Sequence, residues 1–147
     1  MGDTDDGSAW PNGAPTVGQQ ASMSREIRPE YIELFSEISG DRNPVHYDQA
    51  VAAASPFGEI IVQGGVTSSI LNAVVAEQLP GPGSVFLQLD LRFLAPARPG
   101  DVITGTVVVT SVRADKPITE LEVAVTRDDG VTALSGTAVC FTATPRR

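Results

Sequence analysis

The chain has few metal-binding side chains and little positive charge. Its 147 residues include one histidine, His46, and one cysteine, Cys140, too few for a zinc site built from Cys and His. A single cysteine cannot form an internal disulfide, so we expect a reducing, cytoplasmic location. Ten basic residues against 18 acidic ones give a net charge of −8. This argues against nucleic-acid binding, because phosphate contacts need clustered Lys and Arg.

Long apolar runs are also missing. No run approaches the roughly 20 residues of a membrane-spanning helix. The acidic start of the chain, residues 1–6, lacks the apolar segment of a secretory signal. Residues 1–22 are rich in Gly, Pro and Asp, with Trp10 as their one aromatic residue, and predict a mobile tail. Residues 23–147 predict one folded domain.

Two short helices are predicted in the first third of this domain. The first begins at Pro29, which suits the first helical position, and ends at Gly40, which tolerates a left-handed conformation. Apolar residues at helical spacing form its buried face, and these are Tyr31, Leu34, Phe35 and Ile38. The second runs from Asp48 to Ala54, with Asp48 as its cap.

The longest predicted helix runs from Gly64 to Leu79, where a Pro-Gly-Pro-Gly run ends it. After it the apolar period changes from helical spacing to strict alternation, which predicts strands. In the first strand the odd-numbered residues from Val85 to Phe93 are expected to be buried. We predict four strands, over Val85–Phe93, Val102–Val112, Ile118–Thr126 and Val131–Thr142, and a shorter extended segment at Gln20–Ile27. This order predicts an α+β domain with an antiparallel sheet wrapped around the long helix.

The stretch Ser39–Asp48 holds the only histidine, His46, five residues after Asp41. Pro44 fixes its own φ and restricts Asn43, so the path between the carboxylate and the imidazole is stiff. An imidazole and a carboxylate in one short loop form a compact acid/base unit. Spacing alone fits a structural turn equally well.

The run Ser39-Gly40-Asp41-Arg42-Asn43-Pro44-Val45-His46 resembles the hydratase motif of MaoC-like, R-specific enoyl-CoA hydratases, whose fold is the hot dog. Gly64 before the long helix, Leu79-Pro80-Gly81 after it and Pro99-Gly100-Asp101 between strands support the resemblance, which covers residues 24–143. It implies a reversible syn addition of water to trans-2-enoyl thioesters of coenzyme A or an acyl carrier protein, giving (R)-3-hydroxyacyl thioesters. It implies no cofactor and a homodimer.

The resemblance also implies roles for single residues. Asp41 and His46 would together activate the water and donate the Cα proton, and Asn43 would orient them. The backbone N–H of Gly64 would stabilise negative charge on the thioester oxygen, helped by the helix dipole. Gln63 stands where many relatives have His, and would either position the loop or tune the acid/base pair.

Other residues are weaker candidates. Phe57, Val66 and Asn72 could line the acyl pocket, although a small polar residue on a helix face is more often plain packing. Ser68 and Ser69 have no free histidine with which to form a nucleophilic triad. Basic residues at turns could meet the phosphates of coenzyme A or simply be solvated, and these are Arg98, Arg113 and Lys116.

Three other functions stay open at this point. Hot-dog proteins include acyl-thioesterases, which would use the same oxyanion donor. An enzyme could add another nucleophile, such as an amine, to the enoyl thioester. The chain could also be a non-catalytic acyl-binding subunit, although it retains both Asp41 and His46.

Overall fold

The computed structural model describes residues 9–10 and 13–143. Its strands are β1 (Gln20–Glu26), β2 (Ser84–Phe93), β3 (Val102–Val112), β4 (Ile118–Arg127) and β5 (Thr132–Thr142). Its helices are α1 (Glu30–Ser39), α2 (Gln49–Ala54) and α3 (Gly64–Glu77), with a short 3-10 helix at Pro44–His46. The predicted α+β class is confirmed, and each predicted helix or strand lies within two residues of its observed bounds.

The five strands form one sheet in the order β1-β3-β4-β5-β2, and every neighbouring pair is antiparallel. Helix α3 packs on one face of this sheet and shares its apolar core, which includes fully buried Ile70 and Leu71 of α3 and Leu121 of β4. At Gly105 of β3 the two come close, since a Cβ there would lie 2.8 Å from Cγ2 of Ile70. The missing side chain therefore lets the helix lie directly on the sheet.

Local sequence signals explain where the helices begin and end. Gly40 ends α1 in the left-handed region at φ 76°, and its N–H donates to the carbonyl of Ser36. The Asp48 carboxylate accepts from the first N–H groups of α2, as a capping side chain should. Helix α3 ends two residues before the predicted Leu79, because Pro80 restricts the residue before it and cannot donate a backbone hydrogen bond.

The predicted buried face of β2 is wrong at the start of the strand, although Leu91 packs against the core as predicted. Val85 is 54 % exposed and Leu87 58 % exposed, whereas Phe86 packs against the core. A register shift between Phe86 and Gln88 in the pairing with β5 inserts one extra residue, which reverses the alternation along the strand. The strand also lies at the edge of the sheet, and its exposed apolar residues form a row without a neighbouring strand on one side, namely Val85, Leu87, Leu89 and Phe93.

The predicted boundary between tail and domain at residue 22 falls inside β1. Earlier residues also join the fold, since Gly18 N–H donates to the carbonyl of Val109 at 2.8 Å. Trp10 is only 6 % exposed, and its indole N–H donates to the carbonyl of Arg113 at 2.9 Å. Residues 1–8 and 11–12 of the predicted tail lie outside the described part of the chain. Within that part, no helix is long and apolar enough to cross a membrane.

Candidate active site

The loop after α1 fixes the carboxylate of Asp41 by hydrogen bonds to its own backbone. Asp41 Oδ1 accepts the N–H of Asn43 at 3.1 Å, and the Asp41 N–H donates to Oγ of Ser39 at 3.0 Å. The Asn43 side chain accepts the N–H of Val45 at 3.3 Å and so caps the 3-10 helix that carries His46. With Oδ1 held in this way, Oδ2 is the carboxylate oxygen that faces the imidazole.

The imidazole of His46 is held in one orientation from the opposite side. It is 6 % exposed, and its Nδ1 lies 2.6 Å from the carbonyl oxygen of Ile61. A carbonyl oxygen can only accept, so Nδ1 carries a hydrogen and the neutral ring presents an unprotonated Nε2. That Nε2 lies 3.8 Å from Oδ2 of Asp41, whose side chain is 41 % exposed. The predicted pair is therefore assembled, with its basic nitrogen directed toward the carboxylate.

His46 lies in the wall of a cavity of about 360 Å³ between the start of α3 and the end of β2. The lining is mostly apolar and includes Phe57, Gly64 and Phe93. Among the described residues of the lining, two have polar side chains, His46 and Thr67. Asp41 does not line the cavity itself. Its carboxylate faces Nε2 of His46, which does line the cavity. The arrangement suits an apolar acyl group that reaches a single basic site.

Gly64 brings the N-terminus of α3 to this cavity. The first N–H groups of a helix have no intrahelical acceptor, and the helix dipole favours negative charge near them. A Cβ at Gly64 would lie 2.8 Å from Cε1 of Phe93, so glycine keeps the gap between the helix and that ring open. Gly65 has a different role, because its Cβ would lie 2.0 Å from Cζ of Phe35 on α1.

The Gln63 side-chain amide forms its hydrogen bonds with α1. The residue is 1 % exposed, and its Nε2 donates to the carbonyl of Ile32 and to Oγ of Ser36, each at 3.0 Å. The Ser36 hydroxyl in turn donates to the backbone carbonyl of Asp41 at 2.6 Å. Gln63 thus connects the start of α3 to α1 by hydrogen bonds, and through Ser36 it supports the backbone of the Asp41 loop.

Ser36 was missed by the sequence reasoning. It is 2 % exposed, and the only signal for it was a hydroxyl on the buried side of α1, one turn after Ile32. Its hydroxyl also contacts the Tyr47 hydroxyl, which donates to Glu33 at 2.8 Å. These contacts connect the buried serine to the surface next to the loop.

An ion pair holds the outer side of the same loop. Arg42 binds Glu33 through two nitrogens, at 3.0 and 3.1 Å. The Arg42 guanidinium, with the Tyr47 hydroxyl, keeps the pKa of the Glu33 carboxyl below its ordinary value. Because both partners are exposed, we expect this pair to orient the loop more than to stabilise the fold.

Two predicted pocket residues lie elsewhere. Val66 lines a separate groove with Tyr31 and Phe35 of α1 and is not in the wall that holds His46. Asn72 is exposed on α3 and is not part of the cavity lining. Phe57 alone of the three candidates is in the wall of the cavity that holds His46.

Ser68, Ser69 and Arg98, which the sequence singled out, have local partners. Ser68 and Ser69 donate to helix carbonyls three residues back, at 3.3 and 2.6 Å. Arg98 pairs with Glu59 at 2.6 Å and donates to the Phe57 carbonyl at 3.1 Å, so it supports one cavity wall. Across residues 9–10 and 13–143, no three His, Cys, Asp or Glu side chains come together as a metal site would need.

Known proteins resemble this chain in sequence and in structure. Residues 12–131 match the model of the family described as MaoC like domain. The (R)-specific enoyl-CoA hydratase of Aeromonas caviae is 38% identical over 123 residues, covering 84% of this chain and 92% of that protein. The 3-hydroxybutyryl-CoA dehydratase of Methylorubrum extorquens is 40% identical over 96 residues, covering 65% of this chain and 61% of that protein. The structure of the A. caviae (R)-hydratase involved in PHA biosynthesis, a hot-dog fold, superimposes with a TM-score of 0.83 at 36% identity, covering 88% of this chain and 98% of that one.

Proposed function

Because the chain belongs to the MaoC-like domain family, we propose that it adds water reversibly to trans-2-enoyl thioesters and forms (R)-3-hydroxyacyl thioesters. The two relatives are named for this chemistry in its opposite directions, one as a hydratase and one as a dehydratase. Both names denote hydro-lyases that act on coenzyme A thioesters, so the chain is assigned to the same class of enzyme.

The separation of 3.8 Å between Asp41 Oδ2 and His46 Nε2 is the observation that carries the proposal. It is too long for a direct hydrogen bond, but one water oxygen can lie within about 2.8 Å of both atoms. Both atoms accept hydrogen bonds when the imidazole is neutral and the carboxylate is ionised. A water that donates both its hydrogens to them directs its lone pairs away from the pair, toward a substrate.

Water, the enoyl thioester and the Asp41–His46 pair account for every proton and electron pair of the reaction. The water oxygen forms a bond to C3 of the enoyl group, and the π electrons of the C2–C3 bond move onto the thioester oxygen. The Asp41–His46 pair takes one proton from the water and returns a proton to C2 when the carbonyl re-forms. Since one acid/base pair on one side of the substrate supplies both groups, they add to the same face, which is syn addition. We assign both proton transfers to the pair and neither to a single residue.

The N-terminus of α3 supplies the partial positive charge that stabilises the negative thioester oxygen. Gly64 is in the cavity wall beside His46, where a backbone N–H can meet the thioester oxygen as it becomes negative. Removal of one such donor typically costs about 3–4 kcal/mol of transition-state stabilisation. Asn43 orients the pair by capping the turn between its two members, and Gln63 positions the loop through Ser36.

A homodimer that acts on coenzyme A thioesters completes the proposal. The edge strand β2 exposes an apolar row, and Phe93 of that strand is 59 % exposed although it lines the cavity. A second copy that paired with this edge would bury the row and close the cavity. We also place the protein in the cytoplasm, because its free Cys140 suits a reducing compartment.

The test is the absorbance of the enoyl-thioester band when the purified protein is mixed with crotonyl-CoA, followed by chiral analysis of the product. Loss of the band with formation of (R)-3-hydroxybutyryl-CoA and no free thiol is expected. Free coenzyme A thiol would instead indicate a thioesterase. An unchanged spectrum with both crotonyl-CoA and a crotonyl-carrier protein would contradict the assignment.

A further inference from the structure

The Thr67 hydroxyl lies in the cavity wall and has no hydrogen-bond partner in the described part of the chain. The residue is 4 % exposed and lines the same cavity as His46 and Gly64. Its Oγ1 makes no hydrogen bond to any group in residues 9–10 and 13–143, yet this oxygen is not sealed in the interior as the unpaired Oγ1 of Thr119 is. The Thr67 hydroxyl is therefore reachable from the cavity.

The neighbouring hydroxyls show that this arrangement is particular to Thr67. A helical Ser or Thr can satisfy its hydroxyl by donating to a carbonyl three or four residues earlier. Ser68 donates in this way to Gly65 at 3.3 Å, and Ser69 donates to Val66 at 2.6 Å. Of three consecutive hydroxyl residues, only the one that lines the cavity leaves its hydroxyl unpaired.

Packing alone would favour a different residue at this position. All the other lining side chains except His46 are apolar, and valine has nearly the shape of threonine without the hydroxyl. Buried polar groups in folded proteins nearly always have a hydrogen-bond partner. Water can supply it while the cavity is empty, but a ligand that displaces this water must supply a partner of its own or leave the hydroxyl unpaired.

We propose that Thr67 is a specificity-determining residue that hydrogen-bonds an oxygen substituent on the acyl chain, just beyond the double bond. This inference rests on the proposed function, because it takes an enoyl thioester as the occupant of the cavity. The class of substrate is then a trans-2-enoyl thioester with a hydroxyl or keto oxygen at C4 or C5.

The spacing of Gly64 and Thr67 on α3 supports an oxygen substituent at C4 or C5 of the acyl chain. Gly64 and Thr67 are three residues apart and lie on the same face, about 4.5 Å apart along the helix axis. With the thioester oxygen at the Gly64 N–H, the Thr67 hydroxyl lies past the reacting carbons and meets the next part of the acyl group. An unsubstituted acyl chain leaves the Thr67 hydroxyl unpaired, whereas an acyl chain with an oxygen at C4 or C5 forms a hydrogen bond with it.

Calorimetric binding of two saturated probes tests the inference without any reaction. 4-Oxopentanoyl-CoA and 4-methylpentanoyl-CoA have nearly the same shape, but only the first carries an acceptor oxygen at C4. We expect the wild-type protein to bind the oxo probe about fivefold more tightly, the usual value of one hydrogen bond. Thr67→Val should remove this preference and Thr67→Ser should keep it. Ser69→Ala, which deletes a hydroxyl already paired within the helix, should keep it as well.

The outcomes separate this inference from the proposed function. If wild-type protein hydrates crotonyl-CoA but binds both probes equally, or if Thr67→Val keeps the preference, the role of Thr67 is wrong and the hydratase assignment stands. If the preference exists and Thr67→Val removes it, but no enoyl thioester is hydrated, the hydratase assignment fails alone. Failure of the wild-type protein to bind either probe would overturn the role of Thr67.

Discussion

His46 Nε2 and Asp41 Oδ2 lie 3.8 Å apart, with each side chain held by a backbone group on its far side. The carbonyl of Ile61 fixes the protonated Nδ1 of the imidazole at 2.6 Å, and the N–H of Asn43 fixes the second carboxylate oxygen at 3.1 Å. Neither side chain needs to move for a water to bind between them. This preorganisation distinguishes the pair from a surface turn whose charges merely lie close together.

Loss of either member of the pair should nearly abolish activity. We expect Asp41→Asn and His46→Asn each to lower kcat about 10²- to 10⁴-fold, the usual contribution of general acid/base catalysis. Kinetics with crotonyl-CoA and circular dichroism would be measured on the same preparations. Asp128→Asn, at an exposed hairpin turn, is the matched control and should leave kcat unchanged. Turnover near the wild-type rate in either variant would exclude the pair as the acid/base group.

Alanine substitutions of the two glycines at the start of α3 should have different effects, one on activity and the other on stability. In Gly64→Ala the new methyl group enters the cavity 2.8 Å from the exposed Phe93 ring, which can move aside. We expect kcat/KM to fall about 10- to 100-fold through misplacement of the thioester, with little change in stability.

In Gly65→Ala the methyl group meets Phe35 at 2.0 Å, inside the packing of α1 on α3. Overpacking of this kind typically costs about 1–3 kcal/mol. Urea unfolding and steady-state kinetics on both variants separate the two effects. A stability loss in Gly64→Ala as large as that in Gly65→Ala would remove the argument that the first glycine keeps space for substrate.

Ser36→Ala tests whether the polar contacts behind the loop are structural. The variant leaves the Asp41 carbonyl without its donor and takes one of two acceptors from Gln63, so we expect a loss of about 1–3 kcal/mol in the free energy of unfolding. Because neither Ser36 nor Gln63 lines the cavity, kcat should fall far less than in the Asp41 variants. A kcat loss of the Asp41 size with unchanged stability would move Ser36 from a supporting role into the chemistry.

The parts of the site that could be predicted are those set by local sequence. Gly40 must end α1, Pro44 must stiffen the turn, and His46 is the only histidine, so the juxtaposition of the acid/base residues followed from ten consecutive residues. Gly64 followed in the same way from its position before a long apolar helix. The fold class followed from the change of apolar period after α3, and it is confirmed.

The parts that could not be predicted depend on how distant segments meet. The partner of Gln63 is on α1, 27 residues earlier in the chain, and no local pattern in the sequence reports that contact. Val66 and Asn72 were expected to line the pocket, but the helical period of the sequence gives the faces of α3 and does not tell which face meets His46. The bulge in β2 reversed an alternation that looked regular from Val85 to Phe93, because pairing with β5, and not hydropathy, sets the register.

The exposed row on β2 should be the dimer contact. Leu87 is 58 % exposed, so Leu87→Arg adds a charge at the proposed interface without disturbing the fold of one chain. We expect light scattering to give the mass of a dimer for the wild-type protein and of a monomer for the variant, with reduced kcat because the cavity opens. Ile38→Arg, at an 83 % exposed residue of α1, should stay dimeric. A wild-type monomer with full activity would contradict the dimer.

Cys140 should report on unfolding and give the stability a distinct dependence on alkaline pH. The thiol is fully buried in β5, and burial raises its pKa from 9.0 to about 11. Alkylation by iodoacetamide at pH 8 should therefore be slow in the native protein and fast in urea. The unfolded chain loses the thiol proton near pH 9 and the folded chain only near pH 11, so the free energy of unfolding should fall as the pH rises between these values. Cys140→Ala would lower stability overall, but it should remove this part of the pH dependence. A native thiol that reacts at pH 8 as fast as the unfolded one would show that β5 does not bury it.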